Sequence, residues 1–565
     1  MVCKPYFFVV ITYILFFSEG FAQNLHLKVT GKTIEETQKI NALGYSKTHN
    51  NYLSVKNEVD FLRNSLNNSG FIENRLINIK KTNDSVFEAK LHLKHKYNTI
   101  YIYYNSTNLN KSLLSTLSEE VTDKYFLTNI EDTESLLQIL NSELANEGNP
   151  FSKLKLSNIK KKDSISLKSD LIVISNKTKR TIDDIKIIGY DKFPKSYLKH
   201  YLKLKTSQVF DLSTIEKKTE QLNNLRFANQ VKSPEVLFQE DSTSLYIYVE
   251  KSKSNTFDGF LGFGTNDETN KLEFDGFLNL RLINNLNYGE TFSLLYKSDE
   301  NDQDTFDASL GLPYLFNSPI GVDLNLRIFK KDSSFTTIDQ KARINYQINP
   351  LHKISAGLSS ITSNNLRSEN ALISLQDYNS TYFTTSYQFL KPQSYDILFP
   401  IKSNFYLETN FGNRRASNIK TQQTLMVLNA FNNFELNRKN SIYINIDASN
   451  LISDNYFENE LLRFGGINSI RGFEENSLFA SLFGVLNTEY RYRLSNSIYI
   501  HSITDFAYFE DKPSDLKEKL FGFGFGFGIL TNSGILKFNY ANGKNENQKF
   551  KLSNSKIHIS LVANF

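Results

Sequence analysis

The residues best placed to do chemistry lie in a glycine-rich stretch near the end of the chain. Gly465–Phe473 reads G-G-I-N-S-I-R-G-F and sets Arg471 between an apolar residue and a glycine. Two acidic residues follow at Glu489 and Asp505. An arginine removed from water needs carboxylate partners, and bidentate geometry holds a guanidinium best. The pattern favours an ion-paired anchor over a catalytic centre; the alternative is a solvated loop arginine.

The elements around this arginine read as strands of a two-faced wall. Phe521–Gly528 alternates Phe and Gly with period two, which indicates a strand better than a nucleotide-binding loop. Leu486–Leu494 alternates apolar with polar or charged residues, and Glu489 lies on its polar face. By the same parity Asp505 lies opposite the apolar face of its own strand. If loop 450–481 folds inside, the glycine face leaves it room, Gly472 permits its turn, and Arg471 reaches both acids.

The C-terminal part, 255–565, is predicted to be an all-β barrel that spans a membrane. From Thr256 onward sixteen strand-like segments alternate with Asn/Ser/Asp/Gly-rich connections, and the number is even, as closure requires. The chain contains 45 Phe and 30 Tyr but no Trp, while its mean hydropathy is only −0.38. An apolar outer face combined with a polar lumen explains both observations.

The N-terminal part is predicted to be an array of α+β modules with the order β-α-α-β-β, at 23–97, 98–180 and 181–254. The third is clearest: strand Asp184–Tyr190, a helix near Pro194–Leu202, helix Leu212–Leu225 and two more strands. Aromatic residues follow the second helix of each module at a similar spacing, and these are Phe71, Phe151 and Phe227.

Residues 1–22 are predicted to be a secretory signal peptide, since an apolar run from Tyr6 to Phe17 precedes Gly20-Phe21-Ala22. The single cysteine, Cys3, leaves with it, so neither a disulfide nor a cysteine-based metal site is expected in the mature chain. The net charge of +5 is small for 565 residues and does not indicate nucleic-acid binding. A basic excess at 151–180 is interpreted as lysines that guard exposed strand edges.

At these residues the chain resembles the BamA/TamA superfamily of outer-membrane assembly and translocation proteins. Ile470-Arg471-Gly472-Phe473 matches that family's V/I-R-G-F/Y loop motif. Ile503–Ala507 resembles its lumen-facing F-x-D-x-G motif loosely, with Ile for Phe and Ala for Gly, and Asn487–Arg491 resembles its E-Y/F-R element. The last strand is similar to the family's C-terminal barrel signal through Ile557, Ile559, Leu561 and Phe565.

The resemblance implies periplasmic POTRA modules joined to a sixteen-stranded outer-membrane barrel, with three modules as in TamA. It implies that unfolded outer-membrane or secreted proteins are the clients, that the bilayer is the setting, and that no cofactor or nucleotide hydrolysis is used. It also implies that the first and last barrel strands pair weakly and open sideways. Whether a periplasm-spanning partner takes part stays open.

Three other function classes compete with this interpretation. A two-partner-secretion pore shares the barrel and the Arg-Gly-Phe loop but usually has two POTRA modules and a plug helix, and residues 23–30 do not read as one. A passive channel or adhesin is disfavoured by the tandem modules. An enzyme is disfavoured because Gly31-Lys32-Thr33 lacks the first glycine of a phosphate loop, and neither H-E-x-x-H nor G-x-S-x-G occurs.

Overall fold

The structure is a computed structural model that describes residues 24–105, 109, 111–175, 178–265, 272–298, 303–367, 375–393, 395–531, 534–547 and 555–564. The predicted signal peptide lies outside these residues. The chain divides into two compact units. One contains the residues up to Arg180 together with 209–212, and the other contains 181–208 and 213–565.

The first module is a four-stranded sheet, β1 (Leu25–Thr30), β2 (Thr48–His49), β3 (Arg75–Lys81) and β4 (Val86–His92), with helices α1 (Ile34–Leu43) and α2 (Tyr52–Asn68). Thr33 caps α1 by accepting a 3.2 Å hydrogen bond from the Glu36 amide, so the Gly-Lys-Thr run is a helix start. Helix α2 buries Val55, Val59, Leu62 and Leu66 at helical spacing. The first strand pairs parallel with the last, as the two intervening helices permit.

The second module contains more strands than the predicted order. It consists of β5 (Thr99–Tyr103), α3 (Lys111–Leu117), β6 (Glu120–Val121), β7 (Tyr125–Asn129), α4 (Thr133–Asn146), β8 (Lys153–Lys161) and β9 (Ser166–Ile174). The sheet order is β6-β7-β5-β9-β8. The extra strand β7 forms because Phe126 and Thr128 alternate into the core. The proposed equivalence of the three aromatic residues fails at Phe151, which is 47% exposed while Phe71 and Phe227 are buried.

The third module keeps the predicted order with shorter helices. It consists of β10 (Asp184–Ile188), a π-helical turn at Tyr197–Tyr201, α5 (Leu212–Glu220), a 3-10 turn at Gln221–Asn224, β11 (Ala228–Phe238) and β12 (Thr243–Lys251). Here too the first strand is parallel to the last. The second helix therefore ends as an α-helix at Glu220, five residues before the predicted end at Leu225.

The remaining chain closes into the predicted barrel, in which each of sixteen strands pairs antiparallel with its neighbour. The strands are β13 (Thr256–Thr265), β14 (Leu272–Ile283), β15 (Thr291–Ser298), β16 (Gln303–Leu312), β17 (Ile320–Lys331), β18 (Phe335–Asn349), β19 (His352–Asn365), β20 (Tyr378–Pro392), β21 (Ile401–Ala416), β22 (Ile419–Glu435), β23 (Asn440–Ser453), β26 (Leu482–Arg493), β27 (Ile498–Asp511), β28 (Leu516–Thr531), β29 (Gly534–Asn545) and β30 (Ser555–Asn564). The short strands β24 (Leu462–Phe464) and β25 (Leu478–Ala480) lie between β23 and β26. The predicted fold class is confirmed.

The barrel wall is two-faced, with apolar side chains outside and polar ones inside. Leu358, Phe383, Tyr490 and Phe525 are at least half exposed, while Asn487 and Glu489 are buried. The turns at 284–290 and 313–319 meet the third module, since Tyr197 donates its hydroxyl to the Gly289 carbonyl at 3.2 Å. We call this the module end of the barrel and the opposite end the loop end. In the described part of the chain no helix is long and apolar enough for a membrane crossing.

Candidate functional site

The segment 454–481, which we call the inner loop, leaves the loop end of the barrel and folds back against the inner wall. Its strands β24 and β25 pair with each other. Gly465 and Gly466 have φ values of 112° and 92°, which favour glycine. A Cβ on Gly465 would lie 2.5 Å from the Glu474 carbonyl oxygen. The two glycines therefore let the loop return on itself, with Arg471 between its two arms.

Arg471 is held by both predicted acids. Its Nε donates to Asp505 Oδ2 at 2.8 Å and its Nη2 to Asp505 Oδ1 at 2.6 Å, a bidentate pair, while its Nη1 donates to Glu489 Oε1. The Arg471 backbone amide also donates to Asp505 Oδ2 at 3.0 Å. Arg471 is 5% exposed and Asp505 fully buried. Two negative charges compensate the cation, and the backbone bond fixes the loop as well as the side chain.

The second acid is shared with another arginine on its own strand. Arg491 Nε donates to Glu489 Oε2 at 2.7 Å, and Arg491 Nη1 donates to Asn433 Oδ1 at 2.7 Å. The Arg491 guanidinium also lies 4.5 Å from the Phe399 ring, in the turn between β20 and β21. The anchor therefore continues as one polar network from the inner loop to the module end of the wall.

Glycine allows the loop backbone to touch the wall backbone. A Cβ on Gly522 would overlap the Arg471 carbonyl oxygen, and one on Gly543 would lie 2.6 Å from the Gly472 carbonyl oxygen. Gly472 itself has φ of 93°. Sequence reasoning identified the glycine face at 522–528 and the turn at Gly472. It missed Gly543 on strand β29, which is not part of an alternating glycine pattern.

Apolar residues of the motif seal the anchor. Ile470 is fully buried in a cluster with Phe464, Val485, Ala507, Phe509 and Leu520, and Phe473 packs against the same cluster. Asn487 Nδ2 donates to the Ser469 carbonyl at 2.7 Å, which fixes the residue before Ile470. All four residues of the Ile470–Phe473 motif thus contact the wall, and the ion pair lies next to an apolar patch that keeps water away.

A second anchor, which the sequence did not reveal, holds the start of the inner loop with the charges reversed. Here the wall supplies the cation, Arg414 on β21, and the loop supplies Glu460; both side chains are almost fully buried. Glu460 Oε2 also accepts from Gln423 at 3.0 Å, and the Arg414 guanidinium lies 3.8 Å from the Phe457 ring. Arg414 and Glu460 carry no local motif, so only the three-dimensional pairing reveals them.

Further contacts tie the loop to the two flanks of the barrel closure. Glu474 pairs with Lys556 on β30 at 2.9 Å, and Glu475 pairs with Lys297 on β15 at 3.4 Å. Strands β30 and β15 lie on opposite sides of the junction where β13 meets β30. Both pairs are partly exposed, so each contributes at most about 1 kcal/mol. The loop therefore bridges this junction by weak contacts at the loop end.

The predicted C-terminal signal is placed only in part. Ile557 and Ile559 are 61% and 69% exposed on one face of β30. The side chain of Leu561 and the whole of Phe565 lie outside what the structure describes. The role of these residues as a signal stays a prediction.

The chemistry of this arrangement is that of buried ion pairs and hydrogen bonds that hold the inner loop against the wall. Among the described residues there is no cluster of three or more His, Cys, Asp or Glu that could hold a metal ion. The charged groups around Arg471 hydrogen-bond to each other, so they fix the position of the inner loop.

Comparisons with known proteins match the third module to a domain family and the chain to the fold of two solved structures. Residues 180–252 match the POTRA family model, described as "Surface antigen variable number repeat". BamA from Haemophilus ducreyi lacking POTRA domains 1-3 is 15% identical, with 82% of this chain and 99% of that chain covered and a TM-score of 0.50. CdiB from Escherichia coli is 15% identical, with 91% and 97% covered and a TM-score of 0.52. No curated protein sequence matches the chain.

The chain is thus a POTRA-containing protein with a closed sixteen-stranded barrel. Its fold is that of BamA and CdiB, as the resemblance to the BamA/TamA superfamily implied. The closer likeness to TamA stays a prediction.

Replacing Arg471 by Ala should release the inner loop. Glu489 and Asp505 would then lose their main cationic partner, which costs about 3–5 kcal/mol for a buried pair. We expect a lower temperature for the loss of heat-modifiable gel mobility, together with proteinase K cleavage within 454–481. Unchanged protection of the loop would show that the ion pairs do not hold it.

Gly522→Ala tests the same docking without altering a charge. Its Cβ would overlap the Arg471 carbonyl, so the loop should become sensitive to protease although both acids remain. Gly484→Ala on β26 is the matched control, since a Cβ there meets nothing within 4 Å. Equal protection of the two variants would contradict the close approach.

Exchanging the charges of the second anchor tests its pairing. Arg414→Glu alone places two buried carboxylates together, and we expect it to destabilise the barrel by about 3–5 kcal/mol. Adding Glu460→Arg restores opposite charges and should recover at least half of that loss, measured as the barrel unfolding midpoint. A double variant no more stable than the single one would show that the two residues do not act as a pair.

Proposed function

We propose that this protein is an outer-membrane factor that inserts other proteins into the membrane or exports them across it. In this proposal the POTRA modules bind extended client segments in the periplasm, and the barrel with its docked inner loop passes them on. The observation that carries it is the combination of a POTRA domain, a BamA-type barrel and an Arg-Gly-Phe loop anchored inside. The folds that it resembles belong to transport and assembly proteins rather than enzymes.

The surface of the barrel and the predicted signal peptide support a location in the outer membrane. Exposed apolar side chains on the outer face, such as Leu358 and Phe383, suit a lipid environment. The predicted signal peptide would direct the chain out of the cytoplasm. The module end would then face the periplasm and the loop end the outside.

The modules offer edges to which a client strand could be added. Strand β8 forms one edge of the second sheet, and its residues Lys153 and Lys155 are exposed. Backbone hydrogen bonds along such an edge tolerate many sequences. The lysines would discourage self-association while leaving the edge open to clients. Neither the clients nor a periplasm-spanning partner is identified by these contacts, and nucleic acid has no place in the proposal.

The junction between β13 and β30 supports sideways opening of the barrel. In the described residues these strands pair only at the module end, with Thr256 opposite Asn564 and Phe257 opposite Ala563. By contrast, β13 pairs with β14 from Thr256 to Thr265. A short pairing leaves backbone donors and acceptors of both strands available to template a new strand. The weak ion pairs of Glu474 and Glu475 would hold the junction closed at rest.

A disulfide across this junction should stop client insertion. The described register places Phe257 opposite Ala563, so the pair Phe257→Cys with Ala563→Cys suits a cross-link. We expect the oxidised protein in liposomes to lose insertion of a urea-unfolded barrel client and to regain it on reduction. The measurement is protease-resistant client over time.

The control is a pair at a junction that is not expected to open. Thr409 lies opposite Met426 on β21 and β22, so Thr409→Cys with Met426→Cys should cross-link without affecting insertion. If the lock at Phe257 and Ala563 forms and insertion continues at the same rate, sideways opening is not the route.

Export of a dedicated substrate is the second candidate, because the CdiB fold matches over 91% of this chain. Residues Leu25–Thr30 form strand β1 of a module, so they are not a plug helix. A passive channel is disfavoured by the inner loop, which occupies part of the lumen.

Depletion of the protein in its own cell separates the candidates. An insertion factor should lower the abundance of several barrel proteins in the outer membrane, and an exporter should lower one or a few secreted proteins. Quantitative proteomics of both fractions is the measurement. Unchanged fractions after full depletion would exclude both activities and leave the channel.

A further inference from the structure

A cavity at the module end contains two arginines without acidic partners. It has a volume of about 270 Å3 and lies between the third module and the barrel rim. Arg226 enters it from the residues before β11, and Arg281 enters it from β14. Among the described residues no ion pair or hydrogen bond joins either guanidinium to a carboxylate. Arg281 Nε is sealed from solvent and has no hydrogen-bond partner.

Among the described residues, the one acid that lines this cavity is already engaged. Asp323 pairs with Lys353 at 3.2 Å, so these two charges cancel. The two arginines therefore leave a net positive charge in a confined space. Partial desolvation and the like charge of Arg281 lower the pKa of Arg226, although its side chain is exposed to water. An anion that contacts both guanidinium groups would remove this repulsion.

One part of the cavity wall is aromatic, and the rest includes the polar side chains of Asn345, Gln347 and Gln388. Tyr197, Tyr201, Phe227 and Tyr314 line the cavity, and all four are less than one-tenth exposed. The Tyr197 ring meets the Tyr314 ring edge-on with centroids 5.0 Å apart. These contacts join the module to the barrel rim, so the cavity is preformed. Its chemistry suits a flat anion attached to an apolar or aromatic group.

We infer that this cavity binds a carboxylate of an extended polypeptide, held by Arg226 and Arg281 with its neighbouring apolar side chain against the aromatic wall. A planar carboxylate matches the forked guanidinium, and a backbone terminus or an acidic side chain supplies the same group. With only two unengaged cations, the site is poorer for a phosphate dianion. This inference rests on the proposed function, because it names the client group that the barrel receives.

The cavity lies close to the junction between β13 and β30. Arg281 lies opposite Thr256 on β13, and Thr256 lies opposite Asn564 on β30. Neighbouring strands are about 4.8 Å apart, so the site is one strand from the junction. A client carboxylate held there would place the attached segment beside the edge of β13 where a new strand would be added. The cavity would thereby set the register of the incoming strand.

The test uses the full-length protein in detergent micelles and three fluorescent ten-residue peptides of alternating sequence. One ends in Phe with a free carboxylate, one ends in Phe amide, and one has the amide end and an internal Glu. We expect the free-carboxylate or the Glu peptide to bind about tenfold more tightly than the neutral amide, measured by fluorescence anisotropy. The acidic peptide that binds more tightly identifies the source of the carboxylate, either the chain terminus or a side chain.

Arg226→Gln and Arg281→Gln should each lower this preference, and the double variant should abolish it. Arg438→Gln, in the turn between β22 and β23 at the same end of the barrel, is the control and should keep it. Equal binding of all three peptides to the wild type would overturn the inference, and so would a preference that survives in the double variant. Inorganic phosphate and acetate are also compared as competitors at equal concentration. If phosphate displaces the peptide and acetate does not, the assignment to a carboxylate is overturned.

Failure of the carboxylate site and failure of the proposed function give different experimental results. Peptide selectivity is measured without any client insertion, so it can be present in a protein that inserts nothing. In the liposome assay, loss of insertion in the double variant with an intact inner loop supports the inference. Normal insertion with abolished selectivity would overturn the role in setting register while leaving the proposed function intact.

Discussion

The cost of enclosing the Arg471 charge inside the barrel governs the whole arrangement. A guanidinium surrounded by wall and loop has little water to solvate it, so two carboxylates must face it at once. Glu489 and Asp505 come from adjacent strands, β26 and β27, and point inward only while the register of that wall is kept. A slip by one residue would turn Asp505 towards the outer face and leave the cation unpaired. The ion pair and the strand register therefore depend on each other.

The inner loop is fixed in the lumen by two anchors in which the charges of loop and wall are exchanged. At one end the loop carries the cation and the wall the anions; at the other, Glu460 of the loop meets Arg414 of the wall. Sliding the loop along the wall would bring like charges towards each other. Between these anchors Arg463 lies among the rings of Phe329, Phe335 and Phe479, at 5.2–5.6 Å. The lumen is thus divided by a segment with one preferred position.

The alternation of side chains along a strand explains how much of the Arg471 anchor could be predicted from sequence. A strand has period two, so the inward orientation of Glu489 and Asp505 follows from their apolar neighbours, and the glycine face of 522–528 follows in the same way. The second anchor escapes such reasoning because many lumen residues are charged. Arg343 and Glu408, for example, also face inward and pair with each other at 2.6 Å. The path of the inner loop decides which of these charges form a pair. No local sequence pattern encodes that path.

The junction of β13 and β30 has a consequence for how the molecule is made. Thr256 and Asn564 are the two ends of one sheet, and every strand between them must be synthesised before they can meet. Such a contact of very long sequence separation forms late and slowly. A nascent chain would carry an open ribbon with two bare edges until its final strand has been synthesised. Until then, both edges of the newborn sheet are open to pairing with other chains.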